Sequence, residues 1–299
     1  MKSADQLKII LNRIEGKPYG FYRDIKGWYD FDNFMLNIDY IQPDPFAPPS
    51  QVAARISRDV AGFPPELYDS PIRRIALEDC LTRHFYHQAR KVARGKRGSG
   101  RSGLLAIDKP SQEVLMRTAM VINDDWVEAR FVVGLPARGR RISVRDAIEI
   151  FFDEIPELVR RTLLYSNLDG KLLKKFVDLS EDSDYIRGKL PERGLVGFVG
   201  DGSILPRMSG IDDRPLPDEK AVSFQSPPEL EVSFDCPRRG EVRGMGIPRG
   251  VTLIVGGGYH GKSTLLEALE KGAYNHIPGD GREMVVTVPE SVKIRAEDG

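Results

Sequence analysis

Eight consecutive residues, Gly256-Gly257-Gly258-Tyr259-His260-Gly261-Lys262-Ser263, bring together the groups needed to hold a triphosphate. They fit the pattern G-x-x-x-x-G-K-[ST] at every fixed position. Glycines let a backbone take turns that a side chain would block. Successive N–H groups can then face phosphate oxygens and form a nest. In this pattern Lys262 reaches the β- and γ-phosphates, the Ser263 hydroxyl takes a place on Mg2+, and the Thr264 hydroxyl is available to the α-phosphate. Tyr259 and His260 sit inside the loop, and the base, the γ-phosphate and a partner all remain open as their targets. The expected ligands are therefore ATP and Mg2+. Residues Gly256, Gly257, Gly258, Tyr259, His260, Gly261, Lys262, Ser263 and Thr264 are the binding set, with Lys262 as the catalytic cation and Ser263 as the metal ligand.

Such a loop works only if a strand delivers it and a helix receives it. Val251-Thr252-Leu253-Ile254-Val255 is a continuous apolar run bounded by glycine, which predicts a strand buried on both faces. Thr264–Lys271 is a run of helix formers ended by Gly272, and its N-terminus would aim a positive dipole end at the loop. The rival G-x-G-x-x-G reading around Gly244 and Gly246 lacks a strand–helix junction and a following acidic residue.

P-loop hydrolases also need an acidic residue at a strand end for Mg2+ and a group that orients water. The acidic residues of 264–299 include Glu283, Glu290, Glu297 and Asp298, none after a long apolar strand, and Pro289 ends the short strand Val285–Val288. The expectation is a fragment, or a chain whose sheet a partner completes.

Upstream, apolar residues Leu7, Ile10, Leu11 and Ile14 share one helical face, closed by Gly16. Strands are expected at 34–41, 104–108, 114–120, 126–133, 194–200 and 230–236, and helices at 72–93, 143–153, 156–165 and 172–179. Residues 94–103 are basic and glycine-rich and read as a mobile loop. Arg94, Lys96, Arg97 and Arg101 there, with Arg138, Arg140 and Arg141, could meet a phosphate backbone, although solvated surface accounts for both clusters as well. The aromatics between Tyr19 and Phe31 could stack bases, but ordinary packing is the better account. Cys80, His84 and His87 share a helix face without enough further ligands for a metal.

Lys+Arg and Asp+Glu both number 44, so the net charge is zero, which neither favours nor excludes a nucleic-acid partner. Two cysteines, Cys80 and Cys236, form no disulfide framework and point to a reducing, cytoplasmic setting. No apolar run approaches membrane-spanning length.

The loop with its flanks, Gly244–Pro248 and Gly250–Leu266, resembles that of the ATPases of the ABC class, a bacterial and protist family that includes a trypanosomal mitochondrial RNA-binding member. Tyr274–Glu283 and Val292–Gly299 resemble the same family, as do Gly62–Tyr68, Arg74–Asp79, Ala129–Phe131, Gly134–Arg141 and Gln225–Pro227. The resemblance implies an N-terminal α+β domain followed by an α/β P-loop ATPase domain, the latter incomplete here. The expected boundaries are residues 1–209, a Pro-, Asp- and Ser-rich linker at 210–228, and 229–299. The resemblance also implies ATP hydrolysis in the complete protein, homodimerisation across nucleotides, and an RNA partner. Phe234 lies about where such ATPases stack an aromatic on adenine, although a core role is the better account. A nucleic-acid-binding module with regulatory nucleotide is the alternative, and a phosphotransferase a weaker third.

Overall fold

The structure, a computed structural model, describes residues 1–294. Glu297, Asp298 and the end of the Val292–Gly299 motif lie outside the described residues. In chain order the strands are β1 (Lys2–Ser3), β2 (Gly27–Asp30), β3 (Met35–Tyr40), β4 (Ser50–Ser57), β5 (Leu105–Ala106), β6 (Glu113–Val114), β7 (Met120–Ile122), β8 (Trp126–Val133), β9 (Ala137–Arg138) and β10 (Arg141–Ile142). They continue with β11 (Leu195–Gly200), β12 (Arg207–Ser209), β13 (Asp212–Pro215), β14 (Glu231–Cys236), β15 (Gly240–Pro248), β16 (Asn275–His276) and β17 (Val285–Thr287). The helices are α1 (Ala4–Arg13), α2 (Arg58–Ala61), α3 (Pro71–Val92), α4 (Val144–Ile148), α5 (Ile155–Thr162), α6 (Gly170–Lys189) and α7 (Lys262–Lys271).

Contacts gather these into two units. One holds residues 1–66, 78–110 and 116–170; the other holds 67–77, 111–115 and 171 onward. The first unit is built on a seven-stranded sheet with the path β1-β2-β3-β4-β8-β5, and β7 also pairs with β8. Alternation decides which face is core. In β4, Ser50, Val52, Ala54 and Ile56 are buried while their neighbours face outward, and in β8 Val127, Ala129, Phe131 and Val133 do the same. Phe85 of α3 packs on Phe131 with ring centroids 5.2 Å apart. On the opposite face Arg55 stands across from Glu128 in register and bonds it at 2.6 Å. Its guanidinium stacks on Trp126 and Trp28 at 4.1 and 4.7 Å.

Residues 94–103, expected to be mobile, form a tight knot instead. Ser99 N–H donates to Ala137 O at 2.8 Å, Arg101 N–H to Pro45 O at 2.8 Å, and Gly103 N–H to Gly134 O at 2.8 Å. A Cβ on Gly98 would lie 2.1 Å from Ala137 O, so the glycine serves a close backbone approach rather than mobility. Two of its charges are paired: the exposed Arg94 meets Glu149 at 3.1 Å, and Arg97 meets the buried Glu154, while Lys96 and Arg101 stay exposed. The helix expected over 143–153 is α4 followed by a π-turn at Glu149–Glu154, which runs on into α5. That turn puts Glu154 in the core, where Arg97 partners it.

The second unit is a four-stranded antiparallel sheet, β14-β15-β11-β17, between two helices. Leu179 and Ile186 of α6, with Leu190 just after it, pack on Phe198, Phe234 and Val286. Val199, Met245 and Val285 point the other way and meet Ala268, Leu265 and Leu269 of α7. A Cβ on Gly244 would lie 2.2 Å from Val199 O, so glycine there lets β15 and β11 close up. Because β11 pairs with β15, residues upstream of the expected boundary at 209 belong to the same sheet as residues beyond it. The stretch 210–228 lies inside this unit and includes β13 of a β12–β13 hairpin. Ser226 N–H donates to Asp201 at 2.6 Å, which ties its far end down.

The strand expected at Val251–Val255 does not form. These residues carry no secondary structure and are exposed, with Val251 at 101%, Leu253 at 80% and Val255 at 75%. A strand apolar on both faces needs a ladder at its edges and a layer on each side. Among the described residues none supplies that ladder. No helix among them is long and apolar enough to cross a membrane.

Candidate functional site

The helix that receives the loop is well anchored. Buried Ala268 and half-buried Leu265 and Leu269, at i+3, i and i+4, form its apolar stripe on the sheet. Groups from beyond the helix engage its C-terminal end. Thr287 N–H donates to Gly272 O at 2.9 Å, and the Thr287 hydroxyl donates to Leu269 O at 3.2 Å. The buried Arg187 donates to Gly272 O at 3.2 Å, to Thr287 O at 3.2 Å and to Asn275 Oδ1 at 2.7 Å. Burial depresses its guanidinium pKa, with Asp184 opposing. Lys271 pairs with Glu113 at 3.0 Å.

At the other end α7 starts on Gly261, which takes a left-handed conformation, φ 79° and ψ 4°, with no side-chain cap. The turn before it puts Tyr259 at φ 62°, a strained value for an aromatic residue, with its side chain fully in solvent. Leu265 N–H donates to Gly261 O at 2.9 Å and closes the first turn of the helix. The N–H groups of Tyr259, Gly261, Lys262, Ser263 and Thr264 find no acceptor among the described residues, while His260 N–H turns back towards Gly257 O. Neither do the hydroxyls of Ser263 and Thr264 have a hydrogen-bond partner there. Lys262 folds back and its ammonium donates to Gly257 O. Gly257 N–H donates to His260 Nδ1 at 3.2 Å.

An arch with consecutive unpartnered amides, one ammonium and two unpartnered hydroxyls is chemically suited to an oxyanion-rich ligand. It matches the donors that a triphosphate with Mg2+ requires, with Ser263 Oγ as the hard oxygen ligand for the metal. All the residues singled out from Gly256 to Thr264 sit in this arch.

Other candidates resolve differently. Phe234 is buried, edge-on to Phe198 at 5.1 Å, and the Arg193 guanidinium stands 4.3 Å from its ring centre. It is a core residue with one face covered by an arginine. Tyr19, Tyr22 and Tyr29 are buried and donate to the carbonyls of Leu135, Pro136 and Ile25 at 3.1, 2.8 and 2.9 Å. His84 is bonded to Arg161 O at 3.1 Å, and burial lowers its pKa. Burial pushes the Cys80 thiol up to about 12. No group of three His, Cys, Asp or Glu residues suited to a metal occurs among the described residues.

Sequence reasoning missed a buried polar cluster beyond α7. Asp280 accepts from Arg207 at 2.7 Å and faces His276 Nδ1 at 2.8 Å, while His276 Nε2 lies 3.3 Å from Lys271 O. Arg282 next to it donates to Leu205 O at 2.9 Å, and burial, then the Arg207 charge, pushes it down to about 10. The only signal was the crowding of His, Asp and Arg into the otherwise turn-like stretch 275–283.

Residues 4–166 match the model of a family described as the N-terminal part of ATPases of the ABC class. Residues 169–299 match the P-loop domain model of ABC-type ATPases. An uncharacterized protein of Methanocaldococcus jannaschii is 34% identical over 145 residues, covering 44% of this chain and 32% of that protein. The chain thus spans about a third of the length of the curated relative it matches.

Proposed function

Because the chain belongs to the ATPases of the ABC class, we propose that the arch Gly256–Thr264 binds ATP with Mg2+. The observation that carries the reading is the run of four unpartnered amides from Gly261 to Thr264, with that of Tyr259 before them, at the start of an anchored helix. Phosphate oxygens supply the acceptors these amides lack, and the N-terminal end of α7 adds positive potential. Lys262 would leave Gly257 O for the β- and γ-phosphates. Ser263 would hold Mg2+ through its hydroxyl, which is already at the surface.

Hydrolysis, and pairing of two chains across the nucleotide, are proposed for the complete protein. An acidic magnesium-holding group is what the described residues do not place beside the arch. An RNA partner has less support, because Arg94 and Arg97 are already ion-paired within the chain and Tyr19, Tyr22 and Tyr29 are buried. What favours it is a groove of about 480 Å³ beside α6 lined by Lys171, Lys174, Lys175, Arg238 and Arg239, although Asp178 and Glu283 line it as well and Lys174 and Arg238 are paired with Asp178 and Glu181. A salt titration of RNA binding by the full chain tests that alternative, and a flat response removes it.

The test of the main reading is calorimetric titration with Mg-ATP. The Lys262→Ala protein is expected to bind at least about tenfold more weakly than wild type, since a charge-assisted contact contributes roughly 1.5–3 kcal/mol. Equal affinity would overturn the assignment.

A further inference from the structure

Resting on the nucleotide reading, we propose that His260 is a positioning residue: its Nδ1 braces the arch from within and does not touch the ligand. The residue before the Gly-Lys pair can send its side chain towards a ligand, out to solvent, or back onto its own loop. Here it goes back. Gly257 N–H donates to His260 Nδ1 at 3.2 Å, spanning three residues. The ring lies against Gly257 closely enough that a Cβ there would sit 3.1 Å from His260 Cε1 and 3.4 Å from Nδ1. A second link closes over the same residue, from the Lys262 ammonium to Gly257 O. Gly257 is therefore held through both its amide and its carbonyl, by the two side chains that flank Gly261.

The chemistry of the brace follows from the roles of its atoms. Nδ1 accepts, so the neutral ring carries its proton on Nε2. The amide it takes, Gly257 N–H, is not among the unpartnered amides of Tyr259 and Gly261–Thr264, so the brace does not compete with phosphate for those donors. What it opposes is relaxation of the turn between Gly257 and His260, which holds Tyr259 at φ 62°. A loop in which that strained residue relaxes would misdirect the amides that follow it. The brace lowers the ordering that binding would otherwise require.

Three variants separate this role from ligand contact. Asn Oδ1 occupies the same position along the side chain as His Nδ1, whereas Gln places its amide where Nε2 would be. His260→Ala is expected to weaken Mg-ATP binding about tenfold, the loss of one well-placed hydrogen bond. His260→Asn should restore affinity to within about twofold of wild type, and His260→Gln should behave like the alanine variant. Gly257→Ala should weaken binding by pushing the ring away, and combining it with His260→Ala should add nothing further. In the ligand-free full chain, exchange of the Gly257 amide should quicken about tenfold in His260→Ala and return in His260→Asn. Unchanged exchange overturns the brace whether or not the chain binds ATP. Rescue of binding by Gln and not by Asn also overturns it, in favour of contact through Nε2. Loss of the nucleotide reading has its own signature: wild type fails to bind ATP while the Gly257 amide still responds to the His260 variants.

Discussion

Gly261 and Tyr259 both sit at positive φ, and they bear opposite costs. Gly261 reaches 79° freely, while the tyrosine at 62° is strained by roughly 1–2 kcal/mol. Nothing lies within 4 Å of a Cβ built on Gly261, so alanine there meets only backbone strain. Because the arch is exposed and α7 is anchored at its far end, that strain should be relieved by re-aiming the loop and not by unfolding. Gly261→Ala is therefore expected to bind Mg-ATP at least about tenfold more weakly while its thermal midpoint stays close to wild type. Paired calorimetry and circular dichroism melts check this, and a large drop in midpoint with affinity intact would contradict it. The helix start at Gly261–Ser263 was legible in the sequence because a glycine before a run of helix formers is a local signal. The buried His276–Asp280–Arg207 group was not, since Arg207 meets Asp280 across more than seventy intervening residues.

Elements were legible where one periodicity dominated. The expected ranges for α3, β3, β8, β11 and β14 agree with the structure to within a residue or so at each end. The stretch 94–103 misled because glycine and arginine suit a solvated loop as well as a knot, and only tertiary approach separates the two. If it is a knot, trypsin should not cut native protein after Lys96 or Arg97, although both bonds are chemically cleavable. Gly98→Ala, which would put its Cβ 2.1 Å from Ala137 O, should cost about 2–3 kcal/mol and open those sites to digestion. The short β6–β16 ladder gives a prediction about acid. Burial alone would raise the Glu113 pKa, but hydrogen bonds from Ser111 and Lys271, with the Lys271 charge, outweigh it and hold the carboxylate at about 2. A folded-state value below the ordinary 4.5 means the contribution is full above that pH and fades as pH falls towards 2. Glu113→Gln should be less stable than wild type at neutral pH, and the gap between the two should narrow on acidification. Denaturant melts at a series of pH values would show a constant gap if the pair contributes nothing.

For the whole molecule, the division into units was harder to read than either the motif or the elements. Residues 210–228 carry the proline and aspartate of a linker, yet hairpin pairing and the Asp201–Ser226 contact fold them into one unit, information that composition does not hold. The same limit applies to 251–255. The sequence pattern there is that of a strand between two neighbours, and it states what the run needs without stating whether the need is met. Among the described residues it is not met, so Val251, Leu253 and Val255 lie almost wholly in water beside an arch that is itself exposed. An exposed apolar run with open backbone groups is a template for pairing with another chain. Molecules of this chain should accordingly associate as concentration rises and bind an apolar dye, through a surface that salt strengthens rather than screens. Leu253→Lys puts a charge at the centre of the run and should lower both dye fluorescence and the concentration dependence of light scattering, by about twofold or more. If neither changes, the run is already covered in solution. The strand that the sequence pattern requires would then form with a ladder supplied from outside the described residues.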